Sequence, residues 1–337
     1  IISVMVNLTS YNTLRVAAYA REFREIREIG EIREIETNEP YMFLGEGANV
    51  LFKNDFPGTV IKINLLGKKV ISQDDDEVII EVAAGENWHN LVMWTVENNW
   101  SGLENMALIP GTVGAAVVGN IACYGQNQED VFLNAQVTNL KSQKGEQYNI
   151  SDCQFKYRES IFKTKPELLV TSVQYKLSKK PLANTTYHSR FESLNITNPT
   201  PLNIANAVIE LRQKKLPSID KVGTAGSFFK NPIVSREKYS EISAQVKELQ
   251  WYPTDKLQYP KDAPLPDLVK IPAARLLDEL GWKSKVIGRV STYERQALAI
   301  INLGGATGQE IFDYAEKMRE DIKKNFEIEL EYEVRII

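Results

Sequence analysis

The chain has 337 residues, 43% hydrophobic and 25% charged, enough to bury a sizeable core in two or three domains of ordinary size. Its net charge of −4 is spread along the chain, with no basic face dense enough to bind a nucleic-acid backbone. Two cysteines, Cys123 and Cys153, and two distant histidines, His89 and His188, leave no disulfide framework, argue against a metal centre and fit a reducing cytoplasm.

The opening run Ile1–Val6 is apolar but short and lacks a basic flank, so it reads as a first strand and not as a signal peptide or membrane span. From Arg21 to Ile35, apolar residues recur every three positions among charges. That period fits neither a strand nor an α-helix throughout, and the reading is a short strand, then a short helix after about Arg27. An interaction helix and a solvated charged face are the two roles open to it. Tyr41–Leu44 is a strand ending in Gly45-Glu46-Gly47-Ala48-Asn49, and Val50-Leu51-Phe52 resumes as strand. Further strands are expected at Val60–Asn64, Val78–Val82, Ala135–Leu140 and Leu169–Leu177. Trp88–Asn98 and Pro199–Lys215 read as helices, the second with Thr200-Pro201 as its start. Gly111–Gly125 is punctuated by glycine and reads as irregular backbone in apolar surroundings. A last α/β unit runs from about Val222, with helices at Ala273–Leu280 and Gly308–Asn325 and strands at Ala297–Asn302 and Ile328–Ile337.

Two glycine turns are the first chemical signal. Gly45-x-Gly47-x-Asn49 and Pro110-Gly111-x-x-Gly114-Ala115-Ala116 each follow an apolar strand and replace side chains with bare backbone, whose N–H groups can approach a pyrophosphate. Each is also compatible with a plain tight turn. The first is not a Rossmann fingerprint, because a strand follows where a helix should begin. Arg158, in a polar stretch, is either a surface ion-pair partner or the fork for a substrate carboxylate. Ser227, after Ala225-Gly226, is a turn residue or a proton donor; no histidine lies near it in sequence to make it a hydrolase nucleophile. Glu331, Glu333 and Arg335 alternate and would share one strand face, where a solvated ion pair is the plain reading.

Taken in order, these runs carry a resemblance: Phe43–Phe52 (FLGEGANVLF), Ala83–His89 (AAGENWH), Gly102–Gly114 (GLENMALIPGTVG), Asn120–Gly125 and Phe155–Lys163 (FKYRESIFK). Lys215–Pro217, Ala225–Pro232 (AGSFFKNP), Arg295–Asn302 (RQALAIIN) and Leu330–Ile337 (LEYEVRII) complete it. Over nearly its whole length the chain resembles the UDP-N-acetylenolpyruvoylglucosamine reductase (MurB) family, type I. The resemblance implies an α+β chain with an FAD-binding fold like that of vanillyl-alcohol oxidase, in two subdomains, and a C-terminal α/β substrate domain. The expected boundaries are 1–67 and 68–216 for the flavin subdomains and 217–330 for the substrate domain, with 331–337 packing on the first.

It further implies non-covalent FAD, NADPH as co-substrate and reduction of UDP-N-acetylglucosamine enolpyruvate in peptidoglycan precursor synthesis, by a cytoplasmic monomer with no nucleic-acid partner. The flavin would lie along Gly45, Gly47, Ala48, Asn49, Pro110, Gly111, Gly114, Ala115, Ala116, Asn120, Ala122 and Tyr124. Arg158 would polarise the enolpyruvyl carboxylate, Ser227 would protonate C2 and Glu333 would stabilise the intermediate as a protonated carboxyl. Lys215, Lys230 and Asn231 would meet phosphates, Gln296 the substrate, and Tyr187 would close a loop over the diphosphate. Tyr259 is a further substrate candidate, with Tyr252-Pro253 as a rival alignment. The chain departs from the family pattern at Ala48 (usually Ser), at Ala122-Cys123 (usually Gly-Ala), at Leu14-Arg15, at Val117-Val118-Gly119 and at Tyr332 (usually Pro). A sugar or alcohol oxidase of the same fold and a flavin- or nucleotide-binding protein without turnover are the alternatives; Arg158, Ser227 and Glu333 together argue against both.

Overall fold

The computed structural model describes residues 5–180, 199–254 and 266–337. They divide into two units. One comprises Ile1–Val6, Ala20–Glu46 and Pro57–Leu211, the other Asn7–Tyr19, Gly47–Phe56 and Arg212–Ile337. Mixed strands and helices in each make the chain α+β, as expected.

In the first unit an antiparallel sheet runs in the order Lys144–Asn149, Phe132–Asn139, Leu168–Ser178, Glu77–Ala83, Lys68–Gln73. Alternation explains its buried face: Val78, Ile80 and Val82 are fully buried, and Glu77 and Glu81 point the other way. Two helices cover that face. Trp88–Glu97 starts where the Asn87 side chain accepts from Asn90 N and buries Trp88, Leu91, Val92 and Val96, an i, i+3, i+4, i+8 stripe. The other, Val113–Gly119, begins at Thr112 and ends at left-handed Asn120. It corrects the expectation of irregular backbone throughout Gly111–Gly125. Glycine and alanine let a short helix settle onto the strand end, with Gly114 N donating to Ala84 O at 2.8 Å.

The segment with the period of three is also explained here. Tyr19–Ile26 is a strand, and Ile29–Glu34 is a 3₁₀-helix, whose three residues per turn align Ile29, Ile32 and Ile35. Ile32 and Ile35 join the core, and Ile29 stays exposed. The Glu31 carboxylate accepts from the backbone N–H groups of Arg27 and Glu28, which hold its pKa below the ordinary value.

In the second unit, Gly223–Ser227, Gln296–Asn302, Val290–Tyr293 and Val286–Ile287 form an antiparallel sheet in that order. The long helix Gly308–Phe326 packs in this unit's core through Ile311, Tyr314, Ala315, Met318 and Ile322. Thr307 and Glu310 close its N-terminus as a capping box. The expected strand Ile328–Ile337 is corrected to two residues, Arg335–Ile336, paired in parallel with Val50–Leu51. Its ladder stops because one carbonyl, Phe228 O, receives both Glu333 N (3.0 Å) and Val334 N (3.4 Å). Strict alternation is lost with it, so Glu331 is exposed and Glu333 half-buried.

Gly47 has to be glycine. Its φ is +65°, and an added Cβ would lie 2.0 Å from Tyr11 O, a backbone atom that cannot swing away. Gly47→Ala should cost about 2–5 kcal/mol, the sum of left-handed strain and overpacking. Urea denaturation of the variant checks this; an unshifted midpoint would contradict the packing described.

Candidate active site

The first glycine turn is tied to the second by a residue that sequence reasoning passed over. Glu46 accepts from Asn87 Nδ2 at 2.6 Å through one carboxylate oxygen and from Gly111 N at 2.9 Å through the other. Gly45 lies against the same segment: a Cβ there would meet Thr112 Oγ1 at 2.7 Å. The only signal in the sequence was a carboxylate set between two glycines.

The two turns offer different things to a cofactor. In the second, Gly111 N bonds Glu46, Gly114 N bonds Ala84 O, Ala115 N reaches Thr112 Oγ1 and Ala116 N bonds Thr112 O. Those donors are committed, so this stretch presents small, close-packed surface and not an anion nest. In the first, among the described residues, no hydrogen bond engages the N–H of Gly45, Gly47 or Ala48. The adjacent uncommitted donors of buried Gly47 and of Ala48 fit a diphosphate. Asn49 is differently employed: its side chain donates to Glu333 O at 3.0 Å and its carbonyl accepts Arg335 N at 3.1 Å.

Asn120, Ala122 and Tyr124 form a strut that ends at Arg158. Asn120 is buried; it donates to Lys156 O at 3.0 Å and accepts from Gln128 Nε2 at 3.2 Å. Tyr124 O accepts from Asn105 Nδ2 at 2.7 Å. Lys156 and Glu159 exchange two backbone bonds of 3.0 Å, making a tight turn with Tyr157 and Arg158 at its tip. Arg158 is half-buried with φ +58°, its Nη2 donates to Ala122 O at 2.9 Å, and its guanidinium lies 5.4 Å from the Tyr157 ring centroid. A long side chain held in left-handed backbone is strained, and such strain gathers at sites where position matters.

In the second unit, Ser227 ends its strand at a bulge opposite Ala299, just after Gly226 at φ +70°. Phe228–Lys230 then lace to Glu331–Val334: Lys230 N donates to Glu331 O at 2.9 Å, and Glu333 N to Phe228 O. The fold thus brings Ser227, Lys230, Glu333 and Asn49 into one neighbourhood. Lys230 is no ordinary solvated lysine, since only 12% of its side chain is exposed, with Nζ 3.1 Å from Glu331.

The remaining substrate candidates stand apart in role. Asn231 Oδ1 accepts Ala273 N at 3.0 Å at the start of a helix, and Lys215 is the last residue of the helix Pro201–Lys215. Gln296 is buried at the head of its strand. Pro110 and Ala115 border the second turn, half-buried and exposed. Tyr187 and Tyr259 lie outside the described residues. The rival Tyr252 is buried, with its hydroxyl on Gln250 Oε1 at 3.0 Å, as a core residue. His89 accepts Leu108 N through Nδ1 at 3.1 Å, a structural use in the unit that does not contain Ser227.

These features define a flavin-binding oxidoreductase: residues 20–147 match the model of the FAD binding domain. Residues 217–337 match the model of the UDP-N-acetylenolpyruvoylglucosamine reductase C-terminal domain. A reductase of that name from Flavobacterium johnsoniae is 38% identical, covering 98% of each chain. Another, from Chromobacterium violaceum, is 36% identical over 98% of each. The crystal structure of the Thermus caldophilus reductase superposes with a TM-score of 0.67 at 22% identity, over 98% of this chain and 99% of that one, and so shares the fold. The chain belongs to the UDP-N-acetylenolpyruvoylglucosamine reductase family. Among the described residues no helix is long and apolar enough to cross a membrane, and no cluster of side chains could hold a metal ion.

Glu46 should therefore matter to cofactor affinity. A hydrogen bond to a charged group contributes about 1.5–3 kcal/mol, and tenfold in affinity corresponds to about 1.4 kcal/mol. Glu46→Ala should raise the FAD dissociation constant by about tenfold or more, and Glu46→Gln by less. Fluorescence titration of the apoprotein with FAD measures both; equal affinity in Glu46→Ala and the parent would refute the role.

Proposed function

We propose that this chain reduces the enolpyruvyl group of UDP-N-acetylglucosamine enolpyruvate to give UDP-N-acetylmuramate, with electrons from NADPH. The observation that carries the reading is the lacing of Phe228–Lys230 to Glu331–Val334, which sets a hydroxyl and a carboxyl on adjoining segments beside the Asn49 turn. The first glycine turn would hold FAD without a covalent bond, and the bound flavin would supply the hydride chemistry that links NADPH to the substrate's C3.

The side chains manage charge and protons. Arg158 forks the substrate carboxylate and stabilises the negative charge that spreads over C2 and that carboxylate. Glu333 adds a polar group at the same developing charge and helps to stabilise it. Ser227 delivers the proton to C2. Lys230, Lys215 and Asn231 hold phosphate oxygens, and Gln296, Tyr187 and Tyr259 are assigned to substrate binding. We assign 1–67 with 331–337, and 68–216, to the flavin, and 217–330 to the substrate, in a cytoplasmic monomer.

The test is a paired assay of NADPH absorbance and dissolved oxygen. NADPH loss should require the enolpyruvyl sugar, match it mole for mole and consume no oxygen. Oxygen uptake driven by a sugar or alcohol alone would favour an oxidase instead.

A further inference from the structure

The aromatic cluster behind Glu333 has no part in the chemistry just given. Tyr332 sits inside it: its ring stacks on buried Phe229 (centroids 5.3 Å, planes 27° apart) and lies 6.0 Å from the Phe312 ring. The Arg319 guanidinium is 5.0 Å from the same ring, and the Tyr332 hydroxyl donates to Glu316 Oε1. Arg319 also pairs with Glu316 at 2.7 Å and donates through Nε to Leu330 O at 2.9 Å. Glu316 and Arg319 belong to the helix Gly308–Phe326, capped at Thr307 and packed in the core along its length. The segment Leu330–Glu333 is thus fastened to that rigid helix twice, at a carbonyl and at a side chain, within three residues of Glu333.

We infer that Tyr332 is a positioning residue that fixes Glu333 against the Ser227 strand. This rests on the roles proposed above for Glu333 and Ser227. Glu333 itself is held through its main chain, by N–H to Phe228 O and by its carbonyl to Asn49. Neither bond sets how far the chain leans toward the helix. The Tyr332 ring does, because it fills the space between Phe229 and Phe312, and its hydroxyl stops at Glu316. Burial, and then the Glu316 carboxylate, hold the phenol pKa well above its ordinary value, so the hydroxyl stays a donor at any working pH. Small displacements at a reacting centre are costly: about 1 Å can lose 10²-fold.

Anaerobic stopped-flow on FAD-loaded protein separates the reduction of flavin by NADPH from its reoxidation by the enolpyruvyl sugar. Tyr332→Ala should slow reoxidation by about tenfold or more, and leave reduction within about twofold. Tyr332→Phe, which keeps the stack and loses the donor, should recover most of that rate, and Glu316→Gln should behave like it. Equal slowing of both halves in Tyr332→Ala would make the residue a general structural prop and overturn the inference. So would an unchanged reoxidation rate. Should Tyr332→Ala fail to fold, Tyr332→Leu, which keeps apolar bulk but loses the stack and the donor, decides: a selective slowing of reoxidation supports the inference, and its absence overturns it. Glu333→Gln and Ser227→Ala run alongside. If neither slows reoxidation, the reading of the site is at fault; if they do and the Tyr332 and Glu316 variants do not, only the positioning role falls.

Discussion

Ser227→Ala should lower turnover by about 10²–10⁴-fold, the range for loss of a general acid, with flavin reduction by NADPH nearly unchanged. A serine hydroxyl is a poor acid toward water, and it becomes effective only when placed against a centre whose basicity rises sharply during the reaction. Carbon C2 is such a centre once hydride has reached C3. The fold invests in placing this hydroxyl: Gly226 takes φ +70°, the register slips between Thr224 and Ser227, and Phe228 N is fixed on Leu298 O at 2.9 Å directly after it. An acyl-transfer role would need an activating base, and His89 is spent on Leu108 N. Normal reoxidation of reduced flavin by the enolpyruvyl sugar in this variant would remove Ser227 from the mechanism.

Arg158→Ala should cost on the order of 10²–10³-fold in turnover, as loss of a preorganised donor to developing negative charge does. Arg158→Lys should recover little of it, because a point charge cannot reproduce a fork already aimed by a bond to Ala122 O. The backbone supplies an independent control. With φ at +58°, the position stores strain that glycine would relieve. Arg158→Gly should therefore be as inactive as Arg158→Ala but melt at a higher temperature than it. Unaltered steady-state kinetics in either variant would count against the assignment, and identical melting points would count against the strained turn.

The sequence carried more of the elements than of their connections. Sheet strands such as Leu168–Ser178 and Gln296–Asn302, and helices such as Trp88–Glu97 and Gly308–Phe326, follow from local periodicity and capping residues, and so were legible within a residue or two. The period of three before Ile35 was visible but matched no common template, because 3₁₀ turns are rarely sustained that long. The helix Val113–Gly119 was hidden by glycines at both ends, where propensity argues against helix and packing on Ala84 overrides it. Alternation misled at Glu331–Arg335, since one shared acceptor, Phe228 O, broke the ladder.

At the candidate site, the side chains proposed to react were legible only through resemblance. Their supports were not. Glu46, Asn49 and Tyr332 act through partners 65, 284 and 16 residues away in sequence, a relation no local pattern encodes. The burial of Lys230 is of the same kind: its stem is covered by a strand pairing that forms only in the folded unit.

The most direct test of the central claim is an anaerobic titration of the FAD-loaded protein, followed by flavin absorbance. NADPH should bleach the flavin completely, and one equivalent of UDP-N-acetylglucosamine enolpyruvate should then restore its colour as UDP-N-acetylmuramate appears. A flavin that bleaches but regains colour only when oxygen is admitted would contradict the account.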